Sequence, residues 1–258
     1  SAQPQPLDLG DRLELFVDGY LVDRMTGVTR VLHPPERREV AIVYDAPWEG
    51  KASHYVTVFQ DGATYRMYYR GLPLVNFDNE QAGPEVTCYA ESADGIHWTK
   101  PKLGLCESQG SKENNIVWTG AGAHNFAAFK DANPNCPADQ QYKAVAGGPL
   151  LALASPDGLH WRKLQDAPII TEGAFDSQNL AFWDSVRGEY RAYVRDFADG
   201  VRTIRTCTSP DFLHWTKPEW VRYGDAPPEH LYTNGTTPYF RAPQIFVELG
   251  GMTILIRG

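Results

Sequence analysis

Short runs of alternating apolar and polar residues follow one another along most of this chain, separated by Gly, Asp, Asn and Pro. In residues 54–71, HYVTVFQDGATYRMYYRG, two such runs flank the turn residues Asp61 and Gly62. A period of two is typical of half-buried strands, and a short glycine-containing turn between two such runs predicts a β-hairpin. No stretch has the sustained 3.6-residue period of a long amphipathic helix. The pattern therefore predicts an all-β fold.

One seven-residue sequence occurs three times in nearly the same form. The copies are SADGIHW at residues 92–98, SPDGLHW at 155–161 and SPDFLHW at 209–215, so that their first residues are 63 and 54 positions apart. A recurring period of this length marks a repeated supersecondary unit. Upstream of each copy lie an apolar or aromatic run, a polar turn and two further runs, and a short tail follows the copy. Each unit is thus predicted to be a four-stranded antiparallel meander.

The composition of the repeated sequence indicates a turn rather than a chemical site. Ser and Asp side chains accept hydrogen bonds from turn amides, Gly in two of the copies permits a positive φ, and the final Trp can pack between neighbouring sheets. The histidines of the three copies belong to this turn, so we do not expect them to be catalytic; they are His97, His160 and His214.

Units of roughly 40 to 60 residues with four strands each are typical of β-propeller blades. We expect full blades at residues 41–105, 116–165 and 176–222, and the first two strands of a further blade at 232–258. The segment 1–40 is expected to form an N-terminal arm that supplies the closing outer strand. The pattern leaves two alternatives open: the chain 1–258, taken as a single propeller domain, is a fragment of a longer protein, or closure is incomplete and leaves an exposed sheet edge.

Charge and composition exclude several classes of partner. The formal net charge is −8 and no Lys/Arg run occurs, which argues against nucleic-acid binding and against attraction to anionic lipid. No apolar segment approaches the roughly 20 residues that span a bilayer. The start, SAQPQPLDLG, is polar and Pro-rich without the features of a signal peptide, as in a mature chain after export. We therefore expect a secreted or periplasmic protein; its oligomeric state is left open.

The four cysteines give limited information about the redox environment. Cys88 and Cys207 precede two copies of the repeat and should lie on equivalent strands of different units, too far apart to form a disulfide. Cys106 and Cys136 lie in loop-like sequence and could pair. No C-x-x-C spacing occurs, so we predict no metal site built on cysteine.

The S-x-D-G-x-x-W turns, together with the segments PWEG (47–50) and FDSQN (175–179), resemble the five-bladed β-propeller glycoside hydrolases of the family 32, 43, 68 and 117 type. The likeness is to the family 32 N-terminal-like proteins in particular and covers about residues 40–245. It implies five four-stranded antiparallel blades, a carbohydrate substrate and an active site at the propeller axis, with acids supplied by the first three blades. It implies no organic cofactor, and a calcium ion on the axis is left open.

Glycoside hydrolysis needs two carboxyl groups that face one another, about 5–5.5 Å apart for retention and about 6.5–9.5 Å for inversion. Asp176 is the first candidate because the polar run around it directly precedes an inner strand, although an Asx turn would explain the same residue. Glu49 and Asp45 follow, with a surface turn as the alternative. Some propeller hydrolases of the family 117 type use a histidine as the acid, so the resemblance also suggests a catalytic role for His124.

Further residues near the same rim are candidates for substrate binding. Trp48 could stack on a sugar ring. Arg195 and Arg241 could bind an anionic group of the substrate. For Arg195, an ion pair with Asp196 is the alternative. The amide and imidazole candidates precede or begin the inner strands; they are His54, Asn125, Gln178 and Asn179. Asp131, in KDANP, is expected to be a hairpin-turn residue.

The sequence therefore predicts a glycoside hydrolase that cleaves a poly- or oligosaccharide with paired carboxylates. Two other classes compete with it: a non-catalytic carbohydrate-binding propeller and a propeller that serves as a protein-interaction platform. One observation separates them. A hydrolase needs two carboxyl groups from different blades within about 10 Å of one another across an open pocket.

Overall fold

The computed structural model describes residues 6–31, 33–51, 54–73, 83–249 and 253–257, with residue 249 and the last range described by their backbone only. Within these ranges the chain forms fifteen strands and two single-turn 3-10 helices, Ala123–Asn125 and Ala138–Gln140. The prediction of an all-β fold is confirmed. No helix in the described ranges is long and apolar enough to cross a membrane.

The strands form four antiparallel sheets, each with its strands in chain order. The first sheet contains β1 (Thr57–Asp61), β2 (Thr64–Gly71), β3 (Val86–Ser92) and β4 (Ile116–Thr119). The second contains β5 (Ala127–Lys130), β6 (Tyr142–Gly147), β7 (Leu150–Ser155) and β8 (Arg162–Lys163). The third contains β9 (Leu180–Asp184), β10 (Glu189–Ala198), β11 (Val201–Ser209) and β12 (Glu219–Trp220). The fourth contains β13 (Thr237–Tyr239), β14 (Ala242–Leu249) and β15 (Thr253–Arg257). None of these sheets closes on itself.

Each copy of the repeated sequence forms the predicted turn at the end of the third strand of its sheet. In the second copy, Ser155 Oγ accepts a hydrogen bond from the Gly158 amide at 2.9 Å, and Asp157 Oδ1 accepts from the amides of Leu159 and His160 at 2.8 and 2.9 Å. The His160 ring contacts the other oxygen of Asp157 at 2.7 Å. The first copy repeats these contacts, and the third repeats those of the aspartate, Asp211, with the two following amides and the His214 ring. The histidines of the repeat are therefore part of the turn, as predicted.

The third copy keeps this turn without glycine. Phe212 occupies the glycine position with a φ of 71°, in the left-handed region that most side chains avoid. Its ring is fully buried and packs against Phe129 and Tyr190 at centroid distances of 5.7 and 5.3 Å. The burial of the ring offsets the cost of the backbone conformation.

The sheets pack face to face, and the half-buried Trp161 and Trp215 pack against cores shared by neighbouring sheets, whereas Trp98 packs against the first sheet alone. Trp161 contacts Phe126 of the same unit and Tyr68 of the first sheet edge-on, with centroid distances of 4.9 and 5.9 Å. The Tyr68 hydroxyl in turn donates to the carbonyl of Gly158 at 2.9 Å, which joins the first sheet to the turn of the second. The repeat therefore links adjacent blades through both apolar and polar contacts.

Several predictions about the ends of the chain differ from the structure. The last unit forms three strands rather than two, because the run after Gly251 returns as β15 along β14. The described part of residues 6–51 forms no strand, so the closing role of the segment 1–40 stays a prediction. Cys106 and Cys136, which could have paired, are both free thiols.

Candidate active site

The candidate site lies where the first strands of three sheets begin. β1 packs beside β5, and β5 beside β9, so the residues before these strands come together at one end of the molecule. Because neighbouring strands are antiparallel, the end of β2 and the start of β3 lie at the same end. Three sheets therefore contribute side chains to one cluster, from His54, Arg70, Glu85, His124 and Asp176.

Arg70, at the end of β2, lies at the base of the cluster. Its side chain is only 5% exposed, and its Nη1 lies 3.1 Å from Nδ1 of His124. Its Nη2 contacts the ring of His54, 3.1 Å from Nδ1. Its guanidinium also lies 4.8 Å from the ring centroid of Tyr55. Burial lowers the pKa of Arg70, and the nearby Glu85 carboxylate opposes this effect.

Tyr55 has an unusual backbone conformation that places the histidine before it. Its φ is 56°, in the left-handed region, and its side chain is buried. Just before it, the His54 carbonyl accepts a hydrogen bond from the Arg70 amide at 2.9 Å. Residues with strained backbones concentrate at functional sites, where the surrounding structure stabilises them. The bend at Tyr55 brings His54 over the end of β2.

His124 joins two carboxylates from different sheets. Its Nδ1 contacts both oxygens of Glu85 at 3.0 Å, and its Nε2 contacts Asp176 Oδ1 at 3.0 Å. The exposed fraction of the side chain rises from 23% for Glu85 to 35% for His124 and 74% for Asp176. The row of three groups therefore runs from a half-buried carboxylate outward to the solvent.

The contacts of His124 favour its protonated form. An imidazole that donates to a carboxylate from each nitrogen carries two protons. The hydrogen bond with Glu85 raises the pKa of His124, while burial opposes the rise. The same hydrogen bond lowers the pKa of Glu85. Both shifts favour an ion pair between His124 and Glu85, and the Arg70 guanidinium, 3.1 Å from Nδ1, opposes the positive charge on the ring.

The His124 ring lies between the two carboxylates. The two 3.0 Å contacts and the width of the ring set an upper limit of about 8 Å on the separation of the bonded oxygens of Glu85 and Asp176, which is below the 10 Å limit set for a hydrolase. Glu85 belongs to the first sheet and Asp176 to the segment before the third. The pair within this distance thus includes one predicted residue and one that was not predicted.

Two buried asparagines hold the segment that carries Asp176. Asn125 Nδ2 donates to the carbonyls of Phe175 and Ser177 at 2.8 and 3.2 Å, and its Oδ1 accepts from the Gly147 amide at 2.6 Å. Asn179 Nδ2 donates to the same two carbonyls at 3.0 Å. Both side chains are at most 2% exposed. They were predicted to bind substrate, but their contacts indicate that they position the loop.

The same segment is also tied to the first sheet and to the segment before the fourth. Gln178 Nε2 donates to the carbonyl of Val56 at 2.9 Å and to Thr57 Oγ1 at 3.1 Å, which connects the third blade with the inner strand of the first. Ser177 Oγ donates to the carbonyl of Tyr232 at 2.5 Å. Asp176 is therefore exposed on a segment whose flanking residues are fixed.

Glu49, Asp45 and Trp48 lie in a separate group beside the first sheet. Glu49 is fully buried, and its carboxylate accepts hydrogen bonds from the Tyr69 hydroxyl at 2.5 Å and from Lys100 at 3.0 Å. Lys100 also donates to Asp45 at 2.7 Å, and this contact lowers the pKa of Asp45. The Trp48 indole N–H donates to Asn115 Oδ1 at 2.8 Å. These contacts hold the PWEG turn against β2.

The two arginine predictions have different outcomes. Arg195, at the site end of β10, donates from Nε to the carbonyl of Ala174, while Asp196 pairs with Arg205 instead, at 3.0 Å. Arg241 does not lie on an inner strand as predicted. It is exposed in the β13–β14 turn, at the opposite end of the sheet, because β13 ends at Tyr239, which pairs with Ala242 across the turn.

The sequence analysis missed Glu85 and Arg70. Both lie in the first unit, where GPEV begins the third strand and YYRG ends the second. Antiparallel pairing brings these ends beside the start of the first strand, and that rule would have identified them if applied to every strand end. Among the described residues, no group of three or more His, Cys, Asp or Glu side chains is arranged to hold a metal ion.

Comparisons with known proteins support the fold and leave the family open. No protein-family model matches the sequence. An uncharacterized protein of Mycobacterium tuberculosis strain H37Rv is 32% identical over 134 residues, which cover 50% of this chain and 40% of that protein. The match thus spans less than half the length of the curated relative.

Solved structures share the architecture at low sequence identity. A glycosyl hydrolase from Bacteroides ovatus aligns with a TM-score of 0.51 at 11% identity, over 81% of this chain and 67% of that chain. A family 43 glycoside hydrolase from Bacillus licheniformis aligns with a TM-score of 0.51 at 10% identity, over 79% of this chain and 37% of that chain. The chain therefore has the fold of the propeller glycoside hydrolases.

Proposed function

We propose that this protein hydrolyses a glycosidic bond, with Asp176 and Glu85 as the two carboxyl groups and His124 as the proton relay between them. The observation that carries the proposal is the double contact of His124, whose two nitrogens each lie 3.0 Å from one of the carboxylates. The neighbours of similar fold are glycoside hydrolases, which supports this class of reaction.

Each group has a role that its surroundings favour. Glu85, whose pKa is lowered by His124, is ionised and takes a proton from the attacking water. Asp176, the exposed group, passes to the leaving sugar oxygen the proton that it receives from Nε2 of His124. The ring regains a proton at Nδ1 from Glu85, so that one turnover consumes only water. Arg70, below the ring, keeps both histidines in place.

Single isosteric substitutions test the proposal. Asp176→Asn and Glu85→Gln keep the size of the side chain and remove the carboxylate, and each is expected to lower turnover by at least a hundredfold. The assay is release of reducing ends from a panel of neutral and acidic polysaccharides. Asp166→Asn is the matched control, since that carboxylate is fully exposed after β8. Wild-type turnover in both site variants would refute the assignment of roles.

Carbohydrate binding without catalysis is a second candidate function. It is favoured by the direct contact of His124 with Asp176, which leaves no space for a sugar oxygen between them unless Asp176 moves. In this case the wild-type protein binds an oligosaccharide in calorimetry but releases no product, and Asp176→Asn binds it equally well. Any product that depends on Asp176 decides for the hydrolase.

The number of blades, the location and the absence of an organic cofactor belong to the same proposal. We propose a five-bladed propeller in one domain that acts on polysaccharide outside the cytoplasm, without an organic cofactor. Cell fractionation tests the location, and full activity after exhaustive dialysis against a chelator tests the independence from added metal.

A further inference from the structure

Two arginines and two aromatic residues form a cluster beside the candidate site. Arg195 and Phe197 lie near the end of β10, Arg202 lies near the start of β11, and Tyr232 lies in the segment before β13. Phe197 and Arg202 face each other across the β10–β11 hairpin. We call these four residues the arginine–aromatic cluster.

Both guanidinium groups of the cluster contact both rings. The Cζ of Arg195 lies 5.6 Å from the ring centroid of Phe197 and 5.4 Å from that of Tyr232. The Cζ of Arg202 lies 5.3 and 5.4 Å from the same two centroids. The rings keep 43% and 48% of their surface exposed. The cluster thus places two positive charges, that of Arg195 buried, beside two partly exposed aromatic rings.

The two charges lack the carboxylate partners that similar arginines have. Among the described residues, six arginines are buried or half-buried, and four of them have a carboxylate within 4.0 Å; those four are Arg66, Arg70, Arg191 and Arg205. Arg195 and Arg202 are the other two. Arg195 is 4% exposed, and within the described part of the chain its side chain makes one hydrogen bond, from Nε to the carbonyl of Ala174 at 2.9 Å. The Nε of Arg202 is buried and has no hydrogen-bond partner.

This arrangement is unusual in a chain with a formal charge of −8, in which acids outnumber bases. Burying a cation without a counter-ion is unfavourable, and cation–π contacts offset only part of that cost. An arginine fork binds a carboxylate or a sulfate group through two parallel hydrogen bonds. The missing partner is therefore an anion that comes with the ligand.

The cluster is continuous with the segment that carries Asp176. The Arg195 carbonyl accepts a hydrogen bond from the Ala174 amide at 2.8 Å, and the Arg195 amide donates to Asn179 Oδ1 at 3.1 Å. Ser177 bonds to the carbonyl of Tyr232. A sugar residue bound by the cluster would therefore be the neighbour, along the polysaccharide, of the sugar residue bound at Asp176.

We propose that the arginine–aromatic cluster is a subsite for a negatively charged sugar unit, which it recognises through the oxyanion of a carboxylate or sulfate group on a ring that packs against Phe197 and Tyr232. The inference rests on the proposed function because it takes the ligand to be the carbohydrate acted on at Asp176. It adds the substrate class: an acidic rather than a neutral polysaccharide.

Binding is measured by calorimetry with the Asp176→Asn variant, so that no ligand is consumed. Oligogalacturonides are compared with their methyl-esterified forms, and carrageenan oligosaccharides with their desulfated forms. The first pair detects recognition of a carboxylate and the second detects recognition of a sulfate. One charged probe is expected to bind at least tenfold more tightly than its neutral counterpart, with a preference that weakens as salt is raised.

Substitutions in the cluster should remove that preference. Arg195→Gln and Arg202→Gln, each in the Asp176→Asn background, are expected to lower the affinity for the charged probe at least tenfold and to leave the neutral probe unaffected. Arg195→Lys keeps the charge without the two parallel donors of a guanidinium. Its affinity for the charged probe should therefore lie between those of the Asp176→Asn parent and the Arg195→Gln variant. Arg222→Gln is the matched control because this arginine is exposed beyond β12. Thermal melting confirms that each variant is folded.

The results separate this inference from the proposed function. Equal affinity for charged and neutral probes, no binding of either charged probe, or unchanged affinity in both arginine variants overturns the subsite. Arginine-dependent binding in a protein that hydrolyses none of the probes supports the subsite and refutes hydrolysis. Hydrolysis of neutral polysaccharides alone supports the proposed function and refutes the subsite.

Discussion

His124 and Asp176 lie 3.0 Å apart although they come from the starts of different blades. The contact joins the second sheet to the segment before the third and places an exposed carboxylate beside an imidazole. Because Glu85 of the first sheet contacts the other nitrogen of the same ring, the three blades share one titrating group. The protonation of this ring should affect both stability and activity.

The coupling of His124 with Glu85 predicts a pH-dependent stability. The pKa of His124 is raised above 6.5, so the contribution of His124 to the free energy of unfolding is complete below pH 6.5. This contribution is lost as the pH rises through the raised pKa. The pKa of Glu85 is lowered below 4.5, so the contribution of Glu85 to the free energy of unfolding is present above pH 4.5 and is lost at lower pH. The difference in Tm between wild type and His124→Gln should therefore be largest between pH 4.5 and 6.5. A difference that stays constant from pH 4 to 9 would contradict the pairing.

Asn125 should be required for the geometry of the Asp176 loop. Asn125→Ala removes an amide that is 2% exposed and leaves the carbonyls of Phe175 and Ser177 without one of their donors. We expect a loss of about 2–4 kcal/mol in the free energy of unfolding, measured in urea. Turnover should fall at least tenfold even at temperatures where the variant is fully folded. A variant with normal turnover would show that the loop holds its shape without Asn125.

The buried serine of the repeated turn should contribute to stability alone. In Ser155→Ala the Gly158 amide loses its acceptor at 2.9 Å inside the core, and the expected cost is about 1–3 kcal/mol. Ser185→Ala, at an exposed turn, is the control and should be close to neutral. Urea midpoints of both variants provide the measurement. Turnover of Ser155→Ala should match the wild type under native conditions, because the turn lies at the end of the second sheet opposite the candidate site.

Glu248, on β14, should destabilise the folded state at high pH. It is fully buried, neither carboxylate oxygen has a hydrogen-bond partner, and burial raises its pKa to about 7. The folded state keeps the proton that the unfolded chain releases near pH 4.5, so stability falls as the pH rises from 4.5 to about 7. Glu248→Gln should remove this loss and increase the free energy of unfolding at pH 8 by at most about 3 kcal/mol.

For Glu248→Gln the comparison across pH is the decisive measurement. The gain at pH 8 should shrink toward zero near pH 5, where the wild-type carboxyl is already protonated. A gain of equal size at both values would show that the substitution acts through packing rather than through charge.

Glu49 should prove structural rather than catalytic. Glu49→Gln removes the charge that faces Lys100 at 3.0 Å in a fully buried position, so the unfolding free energy should fall by about 1–3 kcal/mol. Turnover on the polysaccharide panel should stay within a factor of two or three. Glu107→Gln, at an exposed position in the β3–β4 connection that also contains Lys100, controls for the change in net charge. Loss of turnover comparable to that of Asp176→Asn would return Glu49 to the catalytic residues.

The sequence by itself determined most of the strands, the repeated turn and the region of the candidate site, but it placed the outer strand of the first blade within residues 41–105, whereas that strand is Ile116–Thr119. Alternating runs and turn residues depend on local physics, because side-chain period and turn chemistry act within a few residues. For the same reason the roles of Ser155 and Asp157 could be predicted from one copy of the repeat. Asp176 and His124 were identified because each precedes an inner strand.

Only the tertiary structure decided which of the acids meet. Glu85 and Asp176 are 91 residues apart in the chain and meet only through His124, a relationship that no local pattern encodes. Burial likewise separated Glu49, engaged with Lys100, from Asp176, which is exposed. The physical reason is that hydrogen bonding and desolvation depend on neighbours from other blades, while strand formation depends mainly on neighbours along the chain.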